Sequence, residues 1–205
     1  EEHFGDFASA GDYAPVQRPA EPEQAGLRHA VLDEAARDTH LRIGFHVPAA
    51  THDDIAAIEL LGTIMGQGEA AHLNQKIVRE RELAHSIYAG SYTPREAGLF
   101  IVSADYQLDE DEGDEDGEGA GRTHEGVLEA VLSEVFGFRD VEVSERDLRR
   151  ARTMLESQAV YSKQTVEQLS MKLGQLQMVT GDPLFEERYY ERLAEVDVDE
   201  LREVA

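Results

Sequence analysis

Apolar and polar residues alternate in four segments of the chain. A period of two is typical of a β-strand with one buried face. The pattern predicts strands in "LRHAVLDEA" (27–35), "THLRIGFHV" (39–47), "AHSIYAGSY" (84–92) and "GLFIVSADYQL" (98–108). The last two are joined by "TPREAG", which contains Pro94 and Gly98. Because these are turn residues, we interpret the pair as a hairpin.

Elsewhere the apolar residues recur at helical spacing. The first such stretch reaches Gly66 and is preceded by Thr51 and Asp54, which resemble a capping box. A second helix is predicted at about 69–82, with Ala70, Leu73 and Ile77 on one stripe. Further helices are predicted around 127–135, 144–180, 183–192 and 197–205.

The longest of these helical patterns opens with Ser144, followed by Asp147 at the third position after it. It fits one bent helix or two helices separated near residues 161–165. The order of elements predicts an α+β (α/β layered) domain. Its sheet is expected to be mixed and mostly antiparallel, with helices packed on one face.

Composition divides the chain into two parts and marks an acidic insertion within the second. Residues 1–26 carry three of the six prolines and no sustained periodicity, so we predict a connector from a preceding domain. Residues 27–205 are predicted to form a single domain. Within it, "DEDEGDEDGEGAG" (109–121) has the composition of a solvated acidic loop.

The composition of the chain excludes several classes of function. It has 19 Lys and Arg against 43 Asp and Glu, a formal net charge of −24, which repels nucleic acid and anionic lipid. It has no Cys, so disulfides and thiolate chemistry are excluded. No apolar run approaches the length of a membrane span. We expect a soluble protein, and both the bacterial periplasm and the cytoplasm remain open.

The sequence departs from the patterns of two common kinds of metal site. In the acidic loop, Glu112, Asp114, Asp116 and Gly117 would fill positions 1, 3, 5 and 6 of a calcium-binding EF-hand loop, but position 12 is Thr123 instead of Glu. For zinc, no two of the eight histidines have H-x-x-x-H spacing. His40 and His46 share one strand face but lie roughly 20 Å apart, too far to share a metal. We predict no metal in this chain, and a calcium-responsive module remains the least favoured alternative.

Catalytic motifs are also missing. The chain has no G-x-S-x-G, and "GTIMGQG" lacks the Lys-Ser/Thr ending of a phosphate-binding loop. The charged stretch "QKIVRERELAHSIYAGSY" (75–92) remains. Arg79 and Arg81 lie near the end of its predicted helix, where cations are favoured, and a guanidinium at a helix-to-strand junction can hold a peptide carbonyl or carboxylate.

A family resemblance adds to this interpretation. Residues 40–106 include "GFHVPA", "LLGTIMGQGEAAHL", "IVRERELAHSIYA" and "EAGLFIVSA". With "GDPLFEERYYERLAEVDVDELREVA" near the end, they resemble the C-terminal, non-catalytic domain of the pitrilysin/insulinase zinc metallopeptidases, the inverzincins. The resemblance implies a metallohydrolase-like fold. It also implies a role in proteolysis, in which this domain helps to enclose and hold a peptide substrate.

The inverzincin metal motif, H-x-x-E-H, does not occur in this chain. The resemblance therefore implies that zinc lies on a separate catalytic domain, in the same polypeptide or in a partner subunit. The chain alone should be inactive, so whether it forms part of a working enzyme stays open. The alternative is a structural or assembly subunit of the same fold without peptidase activity.

The resemblance also implies two substrate-binding residues. Many members carry an Arg and a Tyr that contact the bound peptide. Arg79 matches the Arg, whereas the Tyr position is occupied by His85. A histidine can still donate a hydrogen bond to an oxyanion, in a pH-dependent way. Tyr88 lies an odd number of residues further along the strand and should face the other side.

Overall fold

A computed structural model describes residues 11, 19, 22, 24–108 and 122–205. The chain divides into two compact units, Glu1–Ala35 and Ala36–Ala205. The described residues of the first unit form neither helix nor strand, so the strand predicted at 27–35 is wrong. Alternation defines a face, but a strand also needs a neighbouring backbone to hydrogen-bond its N–H and C=O groups. Among the described residues, no strand pairs with this segment.

The predicted domain division, with a connector at residues 1–26 and a single domain from residue 27 to residue 205, stays a prediction. The acidic segment 109–121 and the calcium alternative built on it lie outside the described residues.

The second unit contains the regular structure. Its strands are β1 (Thr39–Val47), β2 (Ser86–Tyr92) and β3 (Gly98–Tyr106). Its α-helices are α1 (Ile55–Gly66), α2 (His124–Gly137), α3 (Glu145–Tyr161), α4 (Val166–Thr180), α5 (Phe185–Glu195) and α6 (Val198–Val204). A π-helical segment, Asn74–Glu80, precedes β2, and a 3-10 turn, Phe138–Asp140, follows α2.

The described strands form an antiparallel sheet in the order β1-β3-β2. The predicted hairpin is confirmed, since β2 and β3 pair directly. Asp105 on β3 lies opposite His40 on β1 and Ser86 on β2, which places these three residues in one row across the sheet. The α+β fold class is confirmed.

One sheet face is buried, as the alternation predicts. Leu41, Ile43, Phe45 and Val47 turn towards the core, whereas His40, Arg42 and His46 are exposed on the opposite face. The core also includes Leu60, Ile64, Met65, Ile87, Ala89, Phe100, Val102, Val127, Val131, Leu148, Leu193 and Leu201. Helix α1 contacts β2, α3, α5 and α6, so it is the central helix of the unit.

Two glycines let α1 approach β2 closely. A Cβ atom on Gly66 would lie 2.1 Å from the backbone nitrogen of Ala89, and one on Gly62 would lie 3.0 Å from the Cα of Gly90. Such distances leave no room for a side chain. The glycines of "GTIMGQG" at 62 and 66 therefore have a packing role.

The predicted break in the long helical pattern is confirmed, because α3 ends at Tyr161 and α4 begins at Val166. The Ser144 side chain accepts a hydrogen bond from the Asp147 backbone N–H, as its position predicted. The Thr51 cap is wrong. Asp54 precedes α1 in a helical conformation and makes no side-chain capping bond, and residues 50–54 form turns instead.

The helix predicted over residues 69–82 is shorter than expected, and most of it is a π-helix instead of an α-helix. Helical structure begins only at residue 72 and becomes π-helical from Asn74 to Glu80. Ala71, Leu73 and Ile77 are buried, whereas Ala70 of the predicted stripe is exposed. A spacing rule based on 3.6 residues per turn cannot identify a segment with the i→i+5 bonds of a π-helix.

Candidate functional site

The connection from the π-helical segment into β2 has an unusual backbone. Arg81 N–H donates to the carbonyl of Lys76 at 3.2 Å, which continues the π-type spacing. Glu82 then has φ of 52°, a left-handed conformation that is uncommon for a residue other than Gly. The Leu83 N–H donates back to the carbonyl of Ile77 at 2.9 Å. π-Helical turns and strained residues are both concentrated at functional sites.

Arg79 lies in the last turn of this π-helical segment. Its guanidinium donates to the carboxylate of Glu69, and 58% of its side chain is exposed. A guanidinium has five N–H donors, and this carboxylate leaves several of them facing solvent. Arg79 therefore has one ion-pair partner, Glu69, and further N–H groups that can bind a carbonyl or carboxylate group.

His85 lies on the other side of Glu82, immediately before β2. Its backbone N–H donates to the Asp105 carbonyl at 2.8 Å, which aligns the start of β2 with the end of β3. The His85 side chain is exposed, and no described residue forms a hydrogen bond or ion pair with its imidazole. The structure places Arg79 and His85 at the two ends of one strained connection.

The open face of the sheet carries a polar cluster that the sequence analysis missed. His40 Nδ1 lies 2.8 Å from Asp105 Oδ1, Arg42 donates to the same oxygen at 3.3 Å, and Ser86 Oγ donates to Asp105 Oδ2 at 2.9 Å. Since the cluster depends on which residues of three strands lie opposite one another, single-strand periodicity could show only that His40 and Arg42 share a face.

This polar cluster is not a nucleophilic triad. In a Ser-His-Asp triad the imidazole lies between the other two groups and takes the serine proton. Here the Asp105 carboxylate lies between Ser86 and His40, so the Ser86 hydroxyl donates its hydrogen bond to a carboxylate, which is too weak a base to take the serine proton. Hydrogen bonds, first from His40 and then from Ser86 and Arg42, hold the pKa of Asp105 below its usual range. The cluster stabilises an ionised carboxylate next to the start of β2.

A second set of polar side chains, Glu59, Tyr189 and Tyr190, lines a cavity of about 250 Å³ between residues of α1, α4 and α5. Burial raises the pKa of Glu59, although the hydrogen bond from the Tyr189 hydroxyl opposes that effect. Burial also raises the pKa of Tyr189 and Tyr190 far above the usual tyrosine value. The Glu59 carboxylate already accepts a hydrogen bond from the Tyr189 hydroxyl. We therefore interpret these side chains as structural and do not propose a catalytic site at this cavity.

The described residues contain no group of three or more His, Asp or Glu side chains that could hold a metal ion. The described side chains therefore do not fit a catalytic zinc. Over the same residues, no helix is long and apolar enough to cross a bilayer.

Comparison with known families decides the identity of the fold. The family described as the peptidase M16 inactive domain matches residues 1–155, about three quarters of the chain. This chain belongs to the peptidase M16 inactive-domain family. The resemblance based on residues 40–106 is thus confirmed, and the M16 inactive domain is a non-catalytic domain.

Two curated relatives of this M16 inactive domain are called zinc proteases. It is 23% identical over 197 residues to an uncharacterized zinc protease of Streptomyces coelicolor, SCO5738, covering 93% of this chain and 40% of the relative. It is 27% identical over 106 residues to the zinc protease PqqE of Helicobacter pylori, covering 50% of this chain and 23% of the relative. The chain spans less than half the length of either relative.

A crystal structure of a protease from Helicobacter pylori has a similar fold. It matches 99% of this chain with a TM-score of 0.83 at 18% identity, and the match covers 46% of the protease chain. Nearly the whole described fold of the M16 inactive domain therefore recurs in a protein of more than twice the matched length.

Proposed function

We propose that this M16 inactive domain is the substrate-binding half of a zinc metalloendopeptidase. In this proposal it helps to enclose a peptide and hold it near a zinc ion bound by a separate catalytic domain. The observation that carries the proposal is the family match over residues 1–155, which includes the strained connection between Arg79 and His85. The zinc protease names of two relatives support it.

In this proposal, peptide binding and catalysis lie on different domains because this chain lacks the zinc-binding motif. The chain has no H-x-x-E-H, and its described part has no alternative metal cluster. A catalytic zinc would activate water for attack on the peptide bond, and in this proposal it lies outside the chain. The domain itself contributes binding and orientation, which lower the barrier by holding the peptide in a reactive geometry.

Arg79 is the main binding residue in this proposal. Its exposed N–H groups would donate to a backbone carbonyl or the terminal carboxylate of the peptide, in addition to the ion pair with Glu69. The backbone hydrogen bonds from Arg81 and Leu83 back to Lys76 and Ile77 hold the end of the π-helical segment, which carries Arg79, in one conformation. Preorganisation of this kind reduces the entropy lost when the peptide binds.

His85 is the second binding residue. Its imidazole has no hydrogen-bond partner among the described residues, so it is available to donate to a peptide carbonyl or to the oxyanion that forms during hydrolysis. A histidine supplies one directed hydrogen bond, as the tyrosine expected at this position would. The two residues differ because the charge on a histidine depends on pH.

The test is Arg79→Ala in the full-length protein that contains this chain, with Arg81→Ala as the matched control. Arg81 is an exposed arginine two positions away, at the end of the same π-helical segment. We expect R79A to reduce kcat/KM for an unfolded peptide roughly 10- to 100-fold, the effect of losing one charge-assisted hydrogen bond. R81A should reduce it less than about threefold.

Two further measurements make this result interpretable. Both variants should keep the unfolding midpoint and the bound zinc of the unsubstituted protein, because both side chains are exposed. Equal kcat/KM values for R79A and the unsubstituted protein would contradict the binding role of Arg79.

The alternative is a structural or assembly subunit without peptidase activity. The observation that favours it is His85, which replaces the tyrosine expected in a peptide-binding member. A full-length protein that neither retains zinc nor cleaves unfolded peptides would support this alternative and contradict the peptidase proposal.

A further inference from the structure

The sheet face opposite the core, which we call the open face, differs from the rest of the chain in its charge. It is formed by every second residue of the strands, at positions 40–46 of β1, 86–92 of β2 and 99–105 of β3. These positions contain one arginine, Arg42, one carboxylate, Asp105, and two histidines, so their formal charge is zero with neutral histidines, whereas the chain carries −24. A ligand with a carboxylate therefore meets no unbalanced acid among the outward positions of the sheet.

Arg42 makes its hydrogen bonds on the open face through one nitrogen. Its Nη1 donates to the Leu41 carbonyl at 2.9 Å and to Asp105 Oδ1 at 3.3 Å. The N–H groups on Nε and Nη2 have no partner among the described residues, and 55% of the side chain is exposed. Those two nitrogens form the edge of a guanidinium that can bind both oxygens of a carboxylate at once. Arg42 thus keeps a bidentate donor edge available to a ligand.

His40 lies two positions before Arg42 on the same face and shares its partner. An ionised carboxylate only accepts hydrogen bonds, so His40 Nδ1, which lies 2.8 Å from Asp105 Oδ1, carries a hydrogen. The His40 Nε2 has no partner among the described residues, and 58% of the side chain is exposed. Residues two apart on a strand lie roughly 7 Å from each other, so one ligand group can contact both side chains.

An apolar area lies next to this polar cluster on the open face. A Cβ on Gly90 would overlap the Tyr88 hydroxyl, and a Cβ on Gly44 would lie 3.8 Å from the side chain of Leu99. The tyrosine and leucine side chains therefore extend over backbone that carries no side chain of its own. Tyr88, Leu99 and Tyr92 are 48%, 36% and 63% exposed. Tyrosines are enriched in recognition surfaces because each combines a large apolar ring with a hydroxyl that can form hydrogen bonds.

We propose that the open face selects peptides that carry a carboxylate next to an apolar side chain, an inference that rests on the proposed function. The carboxylate binds the free edge of Arg42 and borders His40, and the apolar side chain packs on Tyr88. A lysine or arginine at the same position of the peptide would face the Arg42 guanidinium and be disfavoured. Specificity of this kind combines an attractive contact with a repulsive one.

Asp105 links this surface to the proposed peptide site. Its backbone carbonyl accepts the His85 N–H at 2.8 Å, while its side chain bonds to His40 and Arg42. Repulsion between the peptide carboxylate and the acids on the rest of the chain is screened beyond about 8 Å at physiological salt. The local charge of the open face therefore decides whether a carboxylate binds there.

The test measures kcat/KM of the full-length protein that contains this chain on a set of unfolded peptides. Each peptide carries one Glu at a successive position and is paired with the same peptide carrying Gln. We expect at least one Glu peptide to be cleaved about fivefold or more faster than its Gln partner, the effect of one well-aligned exposed ion pair. Arg42→Gln should reduce that ratio to below about twofold and leave kcat/KM for the Gln peptides within about twofold. The matched control, Arg149→Gln, removes the same charge from an exposed position of α3 and should keep the preference.

A second peptide pair, with a free or an amidated C terminus, identifies which carboxylate is selected. A preference for the free acid that Arg42→Gln removes would assign the site to the peptide terminus instead of an acidic side chain. Both variants should retain the thermal midpoint of the unsubstituted protein, because both arginines are exposed. The proposal is overturned if the unsubstituted protein has no carboxylate preference, or if Arg42→Gln leaves the preference unchanged in both kinds of pair.

Binding measurements separate this result from the proposed function. Fluorescence anisotropy gives Kd for labelled Glu and Gln peptides on the full-length protein, whether or not it cleaves them. A Glu preference in Kd that Arg42→Gln removes, in a protein without peptidase activity, would support the open face as a carboxylate site while contradicting the proposed function. Equal Kd values for the two peptides in such an inactive protein would overturn both.

Discussion

Helices α1 and α4 are both rich in apolar residues, but they have opposite environments in the described structure. Every residue of α1 except Glu59 is buried, between the sheet and helices α3, α5 and α6. No residue of α4 is buried, and its principal contact is with α5. Apolar content therefore does not by itself determine which helix forms the core of this domain.

The difference follows from how each helix meets its neighbours. Helix α1 has glycines at 62 and 66, which allow its backbone to lie against β2, and apolar side chains pack on its remaining sides. Helix α4 instead has capping bonds at both ends and a lysine-carboxylate contact with α5. We conclude that α1 is stabilised by burial within the domain and α4 by local bonds. The following predictions test that distinction.

The largest expected effect is at the contact between α1 and β2. Gly66→Ala would place a methyl group 2.1 Å from the Ala89 nitrogen, so we expect a loss of about 3 kcal/mol or more in the free energy of unfolding. The control is Gly174→Ala on α4, where nothing lies within 4 Å of an added Cβ. It should be neutral or stabilising by up to about 1 kcal/mol, because Ala favours helix. Urea unfolding measures both, and equal effects would contradict the distinction.

Side-chain truncation should show the same contrast. Leu60 is fully buried on α1, so Leu60→Ala should cost about 2–5 kcal/mol through lost burial and a cavity. Leu169 is exposed on α4, and Leu169→Ala should cost less than about 1 kcal/mol in the isolated chain. A large loss for Leu169→Ala in urea unfolding would show that α4 is part of the core.

Glu59, the residue of α1 that is not fully buried, should make stability depend on pH. Burial raises its pKa above the ordinary value, so between the unfolded and folded pKa values the native state binds more protons than the unfolded state. Stability from this group is therefore full below the unfolded pKa and falls as pH rises. We expect Glu59→Gln to become more stable relative to the unsubstituted chain between pH 5 and pH 8. If the unfolding midpoints of Glu59→Gln and of the unsubstituted chain changed by the same amount between pH 5 and pH 8, this prediction would be contradicted.

The smallest expected effect is at the open sheet face. The pKa of Asp105 is depressed, chiefly by its hydrogen bond with His40, so its contribution is present above the ordinary pKa and lost as pH falls through the folded pKa. Because the site is largely exposed, Asp105→Asn should cost no more than about 1 kcal/mol at pH 7. That difference should shrink below pH 4. Thermal unfolding at several pH values tests it, and a difference that grows in acid would refute it.

The sequence predicted most elements whose formation depends on local pattern. The alternation of Leu41, Ile43, Phe45 and Val47 identified both β1 and its buried face, and Ser144 identified the start of α3. Prediction failed where a neighbouring segment decides the outcome. The segment 27–35 alternates but has no described partner strand, and Thr51 precedes turns that delay the start of α1.

The candidate site was less accessible to sequence analysis. Arg79 and His85 were selected by resemblance, and their binding role stays a prediction. The left-handed Glu82 between them has no sequence signal comparable to a glycine. The Asp105 cluster joins residues 65 positions apart through strand register, which one sequence does not contain. The exposure of α4 was equally hidden, because its apolar spacing resembles that of a core helix.

Amide hydrogen exchange measured on this chain tests the central distinction between the two helices most directly. Helix α1, which is buried except at Glu59, should exchange slowly, whereas α4, which has no buried residue, should exchange at least tenfold faster. Equal protection of α1 and α4 would contradict the account.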